Sequence, residues 1–263
     1  MRKRRLGDRY DGYRIRNCDP TNIIIPYLMK ERCDSQVFFD AELDLTKVDA
    51  LIKQKRKEGK DIGILDYILT ATVRTISQFP RVNRFVAGRR LYARNEILIS
   101  MAVKKEIDIN TPETIVKFKF NPTDTLEDVN ANIREEIAKN KGVETSNKMD
   151  GFLKIVNHLP RPFFSAAANF VTWLDFHGIM PKYINKISPF HTSFFLTNMG
   201  SIGAEPLYHH IYNWGTTSVF FAMGRKRKVH ATGSQGGSEG IRQGRMSHRM
   251  RHRQGRQGAR PRP

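Results

Sequence analysis

Few residue patterns in this sequence predict chemistry on their own. It contains no Gly-x-Gly-x-x-Gly or Walker-type phosphate loop, no His-Glu-x-x-His zinc helix and no Gly-x-Ser-x-Gly nucleophile elbow. Cys18 and Cys33 fit no metal-binding or redox spacing. His209 and His210 are adjacent, so on a strand they would point to opposite faces and make a poor pair of metal ligands. The sequence therefore predicts no metal site and none of the common nucleotide-binding or hydrolase sites.

The positive charge is concentrated at the end of the chain. The formal net charge is +19 over 263 residues. Residues 225–263 hold 12 Lys and Arg and one acid, Glu239, which leaves 33 basic and 25 acidic residues, a net of +8, in the rest. From His230 onward there is no aromatic residue, and Gly, Arg, Gln, His and Ser dominate. Such a segment buries too little apolar surface to offset its ordering entropy, so residues 229–263 are predicted to be a disordered basic tail.

The cellular location follows from what the sequence lacks. There is no charge-free apolar run of eighteen residues, so no transmembrane helix is predicted. The basic N-terminus has no apolar stretch behind it, which excludes a secretory signal. Two cysteines cannot form a disulfide framework, so we expect reduced thiols in a cytoplasmic protein.

Hydrophobic periodicity indicates the helices and strands of the chain before the tail. Alternating or apolar runs predict strands at residues 36–42, 96–103, 113–120, 193–198 and 216–223. Helical spacing and capping signals predict helices at about 46–58, 64–79 and 125–141, and an apolar, helical segment between 151 and 180 that is broken near Pro160 and Pro162. We expect that last helix to be amphipathic and buried at a subunit or partner surface. The order of elements predicts a mixed α/β two-layer domain rather than a βαβ repeat.

Five segments, in order, carry a resemblance to a known family. They are Phe39-Asp-Ala-Glu-Leu-Asp-Leu-Thr-Lys-Val, Phe79-Pro-Arg-Val-Asn83, Arg94-Asn-Glu-Ile-Leu-Ile-Ser-Met-Ala-Val, Ser193-Phe-Phe-Leu-Thr-Asn-Met-Gly200 and Thr216-Thr-Ser-Val-Phe-Phe-Ala-Met-Gly224. Together they resemble the catalytic domain of 2-oxoacid dehydrogenase acyltransferases, the dihydrolipoyl acyltransferases, over roughly residues 8–228. The resemblance is strongest to short stand-alone bacterial members, since no lipoyl domain precedes it here. It implies the chloramphenicol acetyltransferase-like sandwich with a mixed sheet.

The resemblance also implies a reaction and an assembly. Members move an acyl group between coenzyme A and a dihydrolipoamide-like thiol, or to a hydroxyl acceptor. A histidine in an H-x-x-x-D-G motif removes the acceptor's proton, and a hydroxyl side chain from a neighbouring subunit stabilises the oxyanion. Thr197 occupies the position of that hydroxyl donor, and Thr197 and Asn198 are the catalytic residues that the resemblance implies. The resemblance further implies a homotrimer and association with a 2-oxoacid dehydrogenase complex or a lipoyl protein.

Coenzyme A, or its acyl thioester, is the substrate that the resemblance implies, and its phosphates would favour a basic surface. Four cations lie on segments that flank the predicted strands: Arg84, Arg89, Arg90 and Lys104. We expect them to contribute to coenzyme A binding. No metal cofactor is implied.

The sequence departs from the family at its C-terminal side. No H-x-x-x-D-G occurs, although the basic turn Gly224-Arg-Lys-Arg-Lys228 that precedes the final strand in related members is present. We therefore divide the chain into an acyltransferase-type domain at 1–228, lacking its final strand, and the tail at 229–263, which a shifted reading frame would explain. His191 shares a strand face with Thr197 but lies about 20 Å from it, so it is interpreted as structural. We expect impaired acyl transfer, close to the background rate.

Two other functions stay open. One is a scaffold that keeps the assembly and has lost the chemistry. The other is a nucleic-acid-binding protein that uses the basic tail, since Arg/Gly segments bind phosphate backbones without sequence preference. The tail lacks the aromatic residues that usually stack on bases, which favours the acyltransferase interpretation.

Overall fold

The computed structural model describes residues 3–104, 113–142, 160–230, 241–243 and 245–249. The helices are α1 (Pro20–Leu28), α2 (Thr46–Lys57), α3 (Ile64–Gln78), α4 (Leu126–Gly142), α5 (Arg161–His177) and α6 (Lys182–Ile187). The strands are β1 (Gly12–Arg14), β2 (Phe39–Glu42), β3 (Arg84–Ala87), β4 (Arg90–Arg94), β5 (Ile97–Lys104), β6 (Glu113–Phe120), β7 (Phe194–Asn198), β8 (Val219–Met223), β9 (Lys228–His230), β10 (Ile241–Gln243) and β11 (Arg245–Arg249).

Local sequence signals explain where the main helices begin and end. The Asp44 carboxylate accepts hydrogen bonds from the Thr46 backbone N–H and hydroxyl and so starts α2. Thr125 and Asp128 cap the start of α4 reciprocally, each backbone N–H donating to the other's side chain. Pro80 lies two residues beyond the end of α3 and cannot continue it. The predicted helices at 46–58, 64–79 and 125–141 are confirmed to within a residue or two at each end.

A mixed sheet organises the molecule. Its strand order is β2-β11-β8-β7-β5-β6. β5 pairs antiparallel with β6 along its whole length and parallel with β7, and β7 pairs parallel with β8. A smaller antiparallel sheet has the order β1-β4-β3. The predicted mixed α/β architecture is therefore confirmed.

The core lies between the mixed sheet and the layer formed by α3 and α4. Leu69 and Val73 of α3 and Val129 of α4 are fully buried against Phe118 of β6 and Ile99 of β5. Alternate residues of each strand face this core, because side chains of a strand point in turn to its two faces. The layer of α3 and α4 does not cover the opposite face of the sheet.

Some elements were not predicted. No sequence pattern predicted α1, α6 or the β3–β4 hairpin, whose turn is Gly88 and Arg89, both with positive φ. Arg89 has a φ of 57°, which a non-glycine residue rarely adopts. A Cβ on Gly88 would lie 2.2 Å from the Phe176 carbonyl oxygen, so only glycine lets the hairpin pack this closely on α5.

Within residues 229–263, which we predicted to be disordered, the described residues form strands. The β10 and β11 strands lie within 229–263, and the β11 backbone pairs antiparallel with both β8 and β2. β11 therefore pairs with the mixed sheet within the segment that we predicted to be disordered. Backbone hydrogen bonds carry this pairing, and they do not require the apolar side chains whose absence motivated the expectation. Residues 231–240, 244 and 250–263 lie outside the described residues, so the prediction for them stays a prediction.

Candidate active site

Thr197 lies on β7, on the sheet face opposite the helix layer. Leu196 belongs to the core cluster, so Phe195 and Thr197 on either side of it point the other way. Thr197 is half-buried, pairs in register with Ala222 of β8, and its hydroxyl lies 3.8 Å from the Met199 sulfur. A thioether is a weak acceptor, so this hydroxyl is held only loosely and can donate to a stronger acceptor.

Asn198 ends β7 and organises the turn that follows. Its Oδ1 accepts a hydrogen bond of 3.2 Å from the Ser201 backbone N–H, and its carbonyl accepts one of 2.7 Å from the Ser201 hydroxyl. Gly200 in this turn approaches the next strand closely, since a Cβ there would lie 2.7 Å from the Gly224 carbonyl oxygen. Asn198 thus has a structural role beside Thr197, and the turn after β7 is fixed against the end of β8.

Three of the four predicted coenzyme A residues lie on one hairpin, away from Thr197. Arg84, Arg89 and Arg90 all lie on the β3–β4 hairpin. The Ser218 hydroxyl donates to the Arg84 carbonyl over 2.8 Å, and Ser218 precedes Ala222, the register partner of Thr197, by four residues, or about 13 Å of strand. The hairpin therefore lies at the far end of β7 and β8 from Thr197.

Lys104 lies at the other end. It is the last residue of β5, and the parallel register of β5 with β7 places its backbone at the same end of the strands as Asn198. Its side chain lies outside the described residues.

A buried carboxylate joins three separate parts of the chain. Asp175, near the end of α5, accepts a hydrogen bond of 2.7 Å from the Arg9 guanidinium, which also donates to the Asp175 carbonyl over 2.6 Å. Arg9 lies 3.0 Å from Asp11 as well. On its other side Asp175 Oδ2 lies 3.2 Å from His191 Nε2. Burial alone would raise the pKa of Asp175, but the contacts with His191 and Arg9 outweigh it and lower that pKa.

His191 is structural, as predicted. Its Nδ1 lies 2.7 Å from the Ser188 hydroxyl, and burial lowers its pKa, so the neutral ring is favoured. Ser188, His191 and Asp175 together have the composition of a Ser-His-Asp triad. Their exposures of 1%, 0% and 7% leave no path for a substrate to the serine hydroxyl. The group therefore fixes the segment that leads into β7 and does not act as a nucleophile.

Lys117 of β6 contacts the backbone of this buried group. Its ammonium donates to the Asn185 carbonyl over 2.9 Å and to the His191 carbonyl over 3.4 Å. Burial, with a smaller contribution from the charge of Arg94, lowers the pKa of Lys117 from 10.5 to about 7. No salt bridge to a carboxylate is found for it within the described part of the chain.

His209, which we interpreted as a poor metal ligand, packs on an aromatic ring. The His209 ring stacks on Phe220 of β8, with centroids 4.3 Å apart, and Phe220 stacks on Phe195 of β7 at 5.0 Å. His209 is thus on the same sheet face as Thr197. It lies in the irregular segment between β7 and β8, so strand periodicity could not have placed it.

The fold is similar to acyltransferase catalytic cores. A probable dihydrolipoamide acetyltransferase from Listeria monocytogenes matches with a TM-score of 0.50 at 13% identity, over 88% of this chain and 82% of that one. The dihydrolipoamide acetyltransferase of Azotobacter vinelandii matches with a TM-score of 0.50 at 16% identity, over 87% of this chain and 74% of that one. In the latter enzyme a serine, a histidine and an asparagine have been investigated for their role in the catalytic mechanism. At these identities the likeness concerns the fold.

Other comparisons and searches found nothing. No protein-family profile and no curated protein matches the sequence. Among the described side chains, no group of three or more His, Cys, Asp or Glu is arranged to hold a metal ion. No helix in the described part of the chain is long and apolar enough to cross a membrane.

The Asp175 contact predicts a large effect on stability. Asp175→Ala leaves the buried Arg9 guanidinium without one of its two carboxylates, so we expect the free energy of unfolding to fall by about 3 kcal/mol or more. Asp61→Ala is the matched control, because it breaks the exposed ion pair with Arg134 and should cost about 1 kcal/mol or less. Urea unfolding of both variants measures the difference. Equal shifts in the two would contradict the structural role of Asp175.

The lowered pKa of Lys117 predicts how stability depends on pH. Between pH 7 and 10.5 the unfolded chain binds more protons at this position than the folded chain, so its contribution makes the free energy of unfolding rise with pH. Lys117→Met should reduce that rise, whereas Lys119→Met, on the same strand and exposed, should keep it. Urea unfolding across this pH range provides the measurement. The idea fails if the two variants show the same slope.

Proposed function

We propose that this protein is an acyltransferase that moves an acyl group from coenzyme A to a thiol of the dihydrolipoamide kind or to a hydroxyl acceptor. The observation that carries the proposal is the position of Thr197, on the sheet face opposite the helix layer in a fold that is similar to acyltransferase cores. The resemblance of the segments around residues 39, 79, 94, 193 and 216 supports the same reaction.

Thr197 stabilises charge in this proposal. When the acceptor attacks the thioester carbonyl, negative charge develops on the carbonyl oxygen, and a hydroxyl donor placed there lowers the barrier. A hydroxyl that is held only by the Met199 sulfur is available for this purpose. Asn198, the second predicted catalytic residue, accepts a hydrogen bond from the Ser201 backbone and so holds the turn beside Thr197.

Coenzyme A is the proposed acyl carrier, with its phosphates on the basic side chains. The hairpin arginines offer the larger cationic surface. Arg89 lies over the Tyr27 and Phe176 rings, at 5.5 and 6.0 Å, which holds its guanidinium in place. Lys104 lies at the same end of the strands as Thr197, and the hairpin lies at the other end. We therefore propose that one extended ligand contacts either Lys104 or the hairpin, and not both within one subunit.

We further propose a homotrimer, located in the cytoplasm, as the acting form. The support is the family resemblance together with the apolar side chains that α5 exposes, among them Phe163, Phe170 and Trp173. An aromatic helix face of this kind needs a covering surface, and subunit contact would provide one. Association with a 2-oxoacid dehydrogenase complex or a lipoyl protein belongs to the same proposal.

The role of Thr197 gives a direct test. Thr197→Val, made in a chain whose final strand is restored with the family's Asp-Gly, keeps the shape and removes the donor, so kcat/KM for acyl transfer should fall about 10²–10³-fold. Thr197→Ser retains a hydroxyl and should keep most of the activity. The assay follows release of the coenzyme A thiol from acetyl-coenzyme A with a dithiol acceptor. A Thr197→Val variant as active as the restored chain with Thr197 would remove Thr197 from the mechanism.

A further inference from the structure

We infer that the cleft between α1, the β3–β4 hairpin and α5 binds a monocarboxylate carried on an apolar chain, and that Arg32 and Trp214 hold its carboxylate. The cleft lies at the hairpin end of β8, whereas Thr197 lies at the other end of the strands. It is therefore a second site, separate from the proposed acyl-transfer centre. The inference goes beyond the proposed function and does not depend on it.

The size and lining of the cleft suit a small molecule. Its volume is about 770 Å³, which is within the range of small-molecule sites. Its walls come from α1, the hairpin, α5 and the segment from His209 to Phe220. Apolar side chains form much of this lining, among them Ile25, Met29, Val86, Phe176 and Ile211. Such walls favour a hydrocarbon chain or ring.

Arg32 brings a positive charge to this lining without a paired anion. Its guanidinium donates to the backbone carbonyls of Gly215 over 2.7 Å, of Tyr212 over 3.2 Å and of Thr217. The ion pairs found among the described residues do not include Arg32. Burial lowers the pKa of Arg32 to about 10, and the charge of Asp175 offsets this only in part. A bound anion would therefore stabilise the guanidinium.

The carbonyl contacts of Arg32 leave one edge of its guanidinium for a ligand. A guanidinium has five N–H donors, and the three contacts use Nη1 twice and Nη2 once. The donors left are Nε–H and one N–H of Nη2, and these two nitrogens form one edge of the planar fork. Such an edge matches the two oxygens of a carboxylate. Arg32 is half-buried, so part of its side chain is open to the cleft that it lines.

Trp214 supplies a further donor. It lines the same cleft, and its buried indole Nε1 has no hydrogen-bond partner among the described residues. A buried donor without a partner costs free energy, so a ligand oxygen that accepts from Nε1 would be favoured there. The indole ring is held by edge contacts with the rings of His191, at 5.1 Å, and Phe190, at 5.7 Å. The direction of this donor is therefore fixed by the core.

The two segments that carry these donors are joined without a ligand. The Asn213 Oδ1 accepts hydrogen bonds from the backbone N–H groups of Arg32, over 2.9 Å, and Cys33, over 3.1 Å. The Ile211 backbone N–H donates to the Gln36 side chain over 2.9 Å. These contacts connect parts of the chain that are distant in sequence. Because the site is formed in advance, binding needs little further ordering of the protein.

The other charges of the cleft also favour an anion. Lys30 and Arg89 line it, which adds two cations to that of Arg32. Two acids line it as well, but Asp175 is already paired within the fold, and Glu31 is exposed to solvent. A cationic ligand would be repelled by Arg32, and a neutral one would leave its charge without a partner. A carboxylate on an apolar chain fits both the donors and the walls.

The test uses the full chain with Trp173→Phe. The chain has two tryptophans, and Trp173 is exposed and does not line the cleft, so this change leaves Trp214 as the reporter. Its fluorescence is followed as octanoate is added, and then as octanamide is added, which has the same chain and no charge. Octanoate should bind saturably and octanamide about 10-fold more weakly or worse, because charge-assisted hydrogen bonds are the stronger ones. Equal affinities would overturn the inference, and tighter binding of octyl phosphate would overturn the carboxylate as the ligand class.

Substitutions locate the site, with octanoate binding measured by calorimetry. Arg32→Lys keeps the charge and loses the fork, and Trp214→Phe keeps a ring and loses the donor, so each should weaken binding about 10-fold or more. Arg90→Gln is the matched control, because Arg90 is an exposed arginine of the hairpin outside the cleft, and it should leave the affinity unchanged.

The two substitutions do not depend on each other. Arg32→Lys also loses bonds to the backbone of the 212–217 segment, so circular dichroism checks its fold. If it fails to fold, Trp214→Phe decides, since the Trp214 side chain makes no such bond among the described residues. Octanoate binding that is unchanged in Trp214→Phe, or in a folded Arg32→Lys, would overturn the inference. Acyl transfer is not a readout here, so that failure would leave the proposed function standing.

Discussion

The structure depends on one buried carboxylate. Asp175 fixes Arg9 of the N-terminal arm through a side-chain and a backbone contact, and it meets His191 on its other side. An unpaired carboxylate at this depth would be strongly destabilising, so these partners must be in place when the chain folds. His191 with Ser188 then sets the path of the segment that enters β7, and β7 carries Thr197. The position of the proposed oxyanion donor thus follows from an ion pair more than twenty residues away in sequence.

The strands and long helices could be predicted because their signals are local. Alternation in residues 113–120 and helical spacing in 64–79 reflect one buried face each, and both elements form as expected. The β3–β4 hairpin could not be predicted in this way. Its turn uses positive φ at Gly88 and Arg89, and Arg89 is tolerated there beside Tyr27 and Phe176, which are distant in sequence. β11 was missed because pairing with β8 is made by backbone groups that every sequence has.

Sequence patterns likewise predicted some residues of the candidate site and missed others. Thr197 came from the resemblance of its segment to a family strand, and the structure places it on the sheet face opposite the helix layer, while its catalytic role stays a prediction. The hairpin arginines shared a segment in sequence but lie away from Thr197, since proximity along the chain does not fix which end of the sheet a hairpin occupies. His209 gave no signal, because its position depends on stacking with Phe220 and on a carbonyl in an irregular segment.

Calorimetric titration of the full chain with acetyl-coenzyme A tests most directly whether this chain recognises an acyl-coenzyme A. The same titration with a single-stranded oligonucleotide of similar charge separates this claim from binding by the basic tail. We predict saturable heat with acetyl-coenzyme A that persists as salt is raised, and weak, strongly salt-dependent heat with the oligonucleotide. No heat with acetyl-coenzyme A, or tighter binding of the oligonucleotide, would contradict the account.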